Sequence, residues 1–87
     1  MQLRESIADL ERLDEDLFIC AREPWAPEAE AQLTPPDERL AVPDDVEAGG
    51  FVYFLDVAVA REVIGVFGQK PASLDEKVRL LLHRRTP

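Results

Sequence analysis

Residues 51–67 constrain how this chain can fold more than any other segment, because they form its main apolar stretch. Apolar side chains recur through the segment at helical spacing, and its length and lack of central turn residues favour a single helix. Its valine-rich start, 51–57, also permits a strand. A helix that is apolar on nearly every side has to be buried on two faces, and in a small domain the second face would meet another subunit.

The small size of the chain increases the need for a second subunit. Its 87 residues allow one domain, 1–87, and folding at this size removes only roughly 60–65% of the surface from water. The single cysteine, Cys20, excludes an internal disulfide, and the single histidine, His83, leaves no residue set for a Cys/His zinc site. We therefore expect a homodimer or another protein partner to supply stability.

The rest of the chain carries further helix and strand signals. Leu3, Ile7, Leu10 and Leu13 recur at spacings of three and four and predict a helix over 3–13. A short apolar and aromatic run predicts a strand over 17–22, and the alternation at 28–33 predicts an antiparallel partner for it. Prolines on both sides of Trp25 would stiffen the connection between the two strands. A capping box at Ser73 predicts the start of a final helix.

These elements predict an α+β domain in the order helix, strand, strand, helix, helix. A small two-stranded antiparallel sheet would pack on the central apolar helix, since two strands alone are too few to be stable. Residues 34–50 are rich in proline and acids. We expect them to form a mobile acidic surface loop with a helical turn at 43–46.

Charge is divided unevenly along the chain. Residues 1–60 contain fifteen Asp and Glu against four Arg, a net charge of −11, whereas residues 61–87 have a net charge of +3. A total of −8 repels a polyanion, so the basic residues of the last helix are not expected to bind nucleic acid. They would pair with the acidic segments of this chain or of a second subunit. The acidic surface either serves solubility or recognises a basic protein.

Catalytic and cofactor-binding constellations are absent from the sequence. The sequence around the acidic run 14–16 lacks the glycine and the distal glutamate of a calcium-binding loop, so no metal site is predicted. Cys20 would need a nearby histidine to act as a nucleophile, and we interpret it as a core residue. Trp25 is either an exposed binding aromatic or a lid over the core. The residues that could bind a partner are Asp14, Glu15, Asp16, Trp25, Asp44 and Asp45.

One segment carries a resemblance to other proteins. In Leu13–Trp25 an acidic turn leads into a short strand and then a Pro-Trp pair, and this resembles a recurring segment of small bacterial proteins of uncharacterised function. Tyr53–Val57 and Ala60–Val63 are similar to the same group. The resemblance implies a small bacterial domain and no particular activity.

The functional hypotheses follow from what the sequence holds and lacks. No apolar run approaches the roughly 20 residues that span a bilayer, and the charged start is unlike a signal peptide, so we expect a cytoplasmic protein without a membrane role. The leading hypothesis is a non-enzymatic protein-binding domain, such as an acidic inhibitor or immunity-type protein that covers a basic site on its partner. The alternative is a structural or regulatory homodimer without a charge-driven target. A third hypothesis is an enzyme that uses the acidic loop and Trp25.

Overall fold

Three short strands form the centre of the fold, in a computed structural model that describes residues 1–68 and 72–85. The elements are α1 (Leu3–Ala8), a 3₁₀ turn (Leu10–Arg12), β1 (Phe18–Ala21), β2 (Ala31–Thr34), α2 (Asp44–Ala48), β3 (Val52–Asp56), α3 (Val57–Phe67) and α4 (Leu74–Arg85). The strands are antiparallel and lie in the order β2-β1-β3, so the described residues form an α+β fold. None of the described helices is both long and apolar enough to cross a membrane.

Several predicted elements are confirmed. The strands β1 and β2 pair with Ile19 opposite Leu33, as the alternating patterns predicted. The helical turn expected at 43–46 is α2, which begins after Pro43. The Ser73 hydroxyl accepts a hydrogen bond from the amide of Glu76 at 3.2 Å, which is the expected cap at the start of α4.

The prediction of one helix over 51–67 is wrong, and with it the two-stranded sheet and the order helix, strand, strand, helix, helix. The first part of this segment is β3, a third strand paired with β1, and only the second part is α3. The chain changes from strand to helix at Asp56, which has an extended backbone (φ −73°, ψ 150°). No turn residue separates β3 from α3. The β-branched and aromatic composition of β3 suits a strand, and pairing with β1 supplies the tertiary hydrogen bonds that override the helical spacing.

Because α3 is shorter than predicted, it is buried on one face instead of two. Its fully buried residues are Val57 and Ala60, which face the sheet and the other helices. Val66 is 67% exposed and Phe67 is 56% exposed, so the outer face of the helix carries apolar side chains in solvent.

One face of the sheet, which we call the covered face, carries the main hydrophobic core. The helices α1, α3 and α4 pack over it, and the largest of its fully buried side chains is Phe54. The register between β1 and β3 steps from Leu55 to Tyr53, which leaves Phe54 without an opposite residue on β1. The buried members of this core are Leu3, Ile7, Leu10, Ile19, Ala21, Ala31, Phe54, Leu55, Val57, Ala60, Val78 and Leu81.

The opposite face, which we call the open face, has a much smaller cluster. Cys20, Val46 and Phe51 are buried there, with Phe18 and Val42 packed partly buried against them. The helix α2 has only five residues and supplies one buried side chain, Val46. The cover of this face therefore comes mostly from a loop, and part of the face is left accessible.

The acidic turn at 14–16 is held by hydrogen bonds to the start of α3. The amide of Val57 donates to the carbonyl of Leu17 at 3.0 Å, and the amide of Ala58 donates to the carbonyl of Glu15 at 3.3 Å. These bonds satisfy free N–H groups at the start of α3. From α3, Arg61 donates through Nε to the carbonyl of Leu10 at 2.9 Å and through its terminal nitrogen to the carbonyl of Leu13. The acidic turn is thus tied to the same helix at both ends.

Candidate protein-binding groove

The open face contains a groove of about 1020 Å³, which we call the acidic groove. Its volume lies at the upper end of the range of small-molecule pockets, and it is open to solvent. The lining combines carboxylates, two aromatic rings and an apolar loop. The lining residues are Glu15, Asp16, Phe18, Pro35, Pro36, Leu40, Ala41, Val42, Tyr53, Asp56 and Ala58.

The floor of the groove is aromatic. The rings of Phe18 on β1 and Tyr53 on β3 meet edge to face, with their centroids 5.2 Å apart and an interplanar angle of 78°. The hydroxyl of Tyr53 donates a hydrogen bond to Oδ1 of Asp56. Partial burial, with the hydrogen bond to Asp56 and its charge adding to it, raises the pKa of Tyr53 from 10.0 to about 12. The phenol therefore stays protonated at neutral pH and holds the Asp56 carboxylate in place.

The rim of the groove is acidic. Glu15 and Asp16 are exposed on the turn before β1, and Oδ1 of Asp14 accepts a hydrogen bond from the amide of Asp16 at 3.0 Å, which shapes the turn. Among the described residues, no Lys, Arg or His forms an ion pair with Glu15, Asp16 or Asp56. A cation does lie close by: the guanidinium of Arg85 is 5.8 Å from the ring centroid of Tyr53, although it forms no ion pair with the groove carboxylates.

The wall of the groove ends in an exposed leucine. Leu40 is 78% exposed and has a left-handed backbone conformation with φ of 60°, which is uncommon for a leucine. Asp37 holds this loop, because its Oδ1 accepts hydrogen bonds from the amides of Arg39 at 2.8 Å and Ala41 at 3.0 Å. The Ala41 bond above all, followed by the bonds and charge of Arg39, lowers the pKa of Asp37. The loop thus presents an apolar side chain to solvent at a conformational cost.

The predicted partner-binding residues do not lie together. Glu15 and Asp16 line the acidic groove, and Asp14 shapes the turn that carries them. Asp44 and Asp45 are exposed on α2, outside the groove lining, and Oδ1 of Asp44 lies 3.6 Å from a terminal nitrogen of Arg39.

Trp25 lies against the core of the covered face. Its indole Nε1 donates to the carbonyl of Ala21 at 3.2 Å, and its ring meets that of Phe54 edge to face at 5.0 Å. The guanidinium of Arg85 lies 5.4 Å from the centroid of the same ring. This is the position of a lid over the core, one of the two roles that the sequence left open.

The sequence reasoning missed Phe18, Leu40, Tyr53 and Asp56 as site residues. Tyr53 and Asp56 fall in the segment taken for a helix. Asp56 lies directly opposite Phe18, whereas the position of Tyr53 beside Phe18 depends on the irregular register of β3. The left-handed conformation of Leu40 has no signal in the sequence, since leucine seldom adopts it.

No family model, curated protein or solved structure matches the chain.

Two further groups bear on catalysis and metal binding. Cys20 is fully buried, and burial raises the pKa of its thiol, which disfavours the nucleophilic thiolate. Within residues 1–68 and 72–85, no group of three or more His, Cys, Asp and Glu side chains is arranged to hold a metal ion.

The basic residues of α4 surround a separate and smaller cleft of about 330 Å³ between the end of α3 and α4. Lys77, Arg79 and His83 line it, and none of them forms an ion pair with a described carboxylate. Arg84 stacks on the exposed Phe67, with its guanidinium carbon 3.8 Å from the ring centroid. The expected pairing of this basic helix with the acidic segments is thus not made within the described part of one chain.

Proposed function

We propose that this protein is a non-enzymatic protein-binding domain whose acidic groove covers a basic segment of a partner protein, in the manner of an acidic inhibitor or immunity-type protein. The observation that carries the proposal is the composition of the groove. Three carboxylates without a cationic partner, from Glu15, Asp16 and Asp56, stand beside an aromatic floor and an apolar wall.

The groove fits protein recognition better than solubility alone. Dispersed surface charge is enough to keep a small domain soluble, and it needs neither a concave surface nor an exposed leucine. An apolar anchor surrounded by charge is typical of protein interfaces, where buried apolar contacts supply affinity and charge supplies association rate and specificity. The net charge of −8 would attract a basic partner over a distance set by ionic strength.

Affinity capture of binding proteins from a cell extract tests the proposal, provided that a variant with the same charge change outside the groove serves as the control. The double variant Glu15→Gln with Asp16→Asn removes two charges from the rim, and Glu11→Gln with Asp9→Asn removes the same charge from exposed positions outside the groove. We expect wild type and the control to retain the same basic protein at low salt, and the rim variant to lose it.

Calorimetry with the purified captured protein then measures the affinity and its salt dependence. If no basic protein is retained at low salt, or if both double variants retain it equally, the proposed function is wrong.

A structural or regulatory homodimer is the second candidate function, and the outer face of α3 favours it. Val59, Val66 and Phe67 are exposed there. A side chain added at Gly65 would meet no atom within 4 Å. Glycine inside an exposed helix costs about 1 kcal/mol relative to alanine, and no contact among residues 1–68 and 72–85 accounts for it. Sedimentation at micromolar concentration in low and high salt tests this candidate: a dimer that persists in high salt supports it, and a monomer excludes it.

A further inference from the structure

We propose that the acidic groove recognises an arginine side chain of the partner, next to an apolar residue of the same segment. This inference rests on the proposed function and specifies the chemistry that the groove selects. It follows from three properties of the groove: a fixed carboxylate, aromatic rings beside it and an apolar wall opposite.

The fixed carboxylate is that of Asp56. Its Oδ1 accepts the hydrogen bond of Tyr53, and Oδ2 has no hydrogen-bond or ion-pair partner among the described residues. A planar guanidinium matches a held carboxylate with two parallel N–H donors, whereas an ammonium group acts as a point charge without this orientation. A carboxylate that is oriented before binding therefore favours arginine over lysine.

The aromatic floor favours the same choice. Phe18 and Tyr53 line the groove beside Asp56. A guanidinium stacks on an aromatic face more readily than a strongly hydrated ammonium does. This chain already uses such stacking elsewhere, with Arg22 at 4.4 Å from the ring centroid of Phe51 and Arg84 at 3.8 Å from that of Phe67.

The wall and the rim define the neighbours of that arginine. Leu40, Pro35 and Pro36 form an apolar wall that would receive an apolar side chain and the aliphatic stem of the arginine. Glu15 and Asp16 lie on the same groove and would attract a second basic residue of the segment. The expected ligand is thus a short segment with two basic residues around an apolar one, in which at least one basic residue is arginine.

Two synthetic peptides test the inference: acetyl-Gly-Arg-Leu-Arg-Gly-amide and its counterpart with both arginines replaced by lysine. The full chain, labelled with ¹⁵N, is titrated with each at low salt and followed by NMR. We expect the arginine peptide to bind about fivefold more tightly than the lysine peptide. The amide shifts should concentrate on Phe18, Tyr53 and the 37–41 loop.

The variant Asp56→Asn tests the role of the carboxylate without disturbing the start of α3, because the side chain of Asp56 makes no capping hydrogen bond there. We expect it to abolish the preference for arginine. The control Asp9→Asn, which makes the same charge change outside the groove, should keep the preference. Thermal unfolding of both variants verifies that they are folded.

The outcomes separate the two proposals. Equal binding of the two peptides in the groove overturns arginine recognition and leaves the proposed binding of basic segments standing. Failure of both peptides to bind at millimolar concentration also overturns arginine recognition, while the capture experiment with the rim variant decides the proposed function independently.

Discussion

The two faces of the sheet are built from the same three strands but are covered in opposite ways. Three helices pack on the covered face and bury a continuous core around Phe54. On the open face, α2 and the loop before it bury only three residues, and Phe18 and Tyr53 remain partly accessible in the acidic groove. The stability of this small domain therefore depends mainly on one face, which leaves the other free to present aromatic and acidic side chains to a partner.

The same truncation on each face tests most directly whether the two faces contribute unequally to stability. Phe54→Ala should lower the free energy of unfolding by about 4 kcal/mol, because it leaves a cavity in a fully enclosed site. Phe18→Ala should cost about 2 kcal/mol, since its ring is only partly buried and the loop can adjust. Urea denaturation followed by circular dichroism measures both. Equal losses would show that the open face contributes to stability as much as the covered one.

The next largest expected effect is a loss of stability at high pH, which should come from Tyr53. Its pKa of about 12 in the folded chain lies above its ordinary value of 10.0, so folding favours the protonated phenol. That contribution is complete below about pH 10 and is lost as the pH rises through about 12. The free energy of unfolding should fall over this interval in wild type, and fall less in Tyr53→Phe. Comparing the two chains is necessary because burial also raises the pKa of Cys20.

The smallest expected effect is a gain in stability at the wall of the groove. Leu40→Asn should raise the free energy of unfolding by about 0.5 kcal/mol, because asparagine tolerates the left-handed conformation that leucine avoids. The same variant should weaken binding of the arginine peptide, since it removes the apolar wall.

Leu40→Ala serves as the control, because it shortens the side chain but keeps the backbone cost. It should weaken peptide binding without the gain in stability. If Leu40→Asn binds the peptide as wild type does, the wall takes no part in recognition.

The covered face was more predictable from sequence than the open face. The alternation in β1 correctly separates Ile19 and Ala21, which face the main core, from Phe18 and Cys20, which face the smaller cluster. The strand β3 was missed because it passes directly into α3 at Asp56. No turn residue marks that boundary, and only pairing with β1 decides it.

The candidate site was predictable only in its charges. Glu15 and Asp16 are conspicuous because acids follow one another in the sequence, and they do line the groove. The Tyr53–Asp56 bond depends on a register irregularity, and the position of Leu40 depends on backbone hydrogen bonds to Asp37. Neither property belongs to the residues themselves, since both arise from contacts made after folding.

The positions of the only tryptophan and the only tyrosine give each face its own optical reporter. Trp25 packs on the covered face and Tyr53 lines the groove, while the guanidinium of Arg85 lies 5.4 Å from the first ring and 5.8 Å from the second. Because both rings lie this close to the same guanidinium, they lie close enough to each other to exchange excitation energy. Light absorbed by the tyrosine should emerge as tryptophan fluorescence in the unlabelled chain. A partner that seats in the groove would alter this transfer while leaving tryptophan emission excited directly almost unchanged.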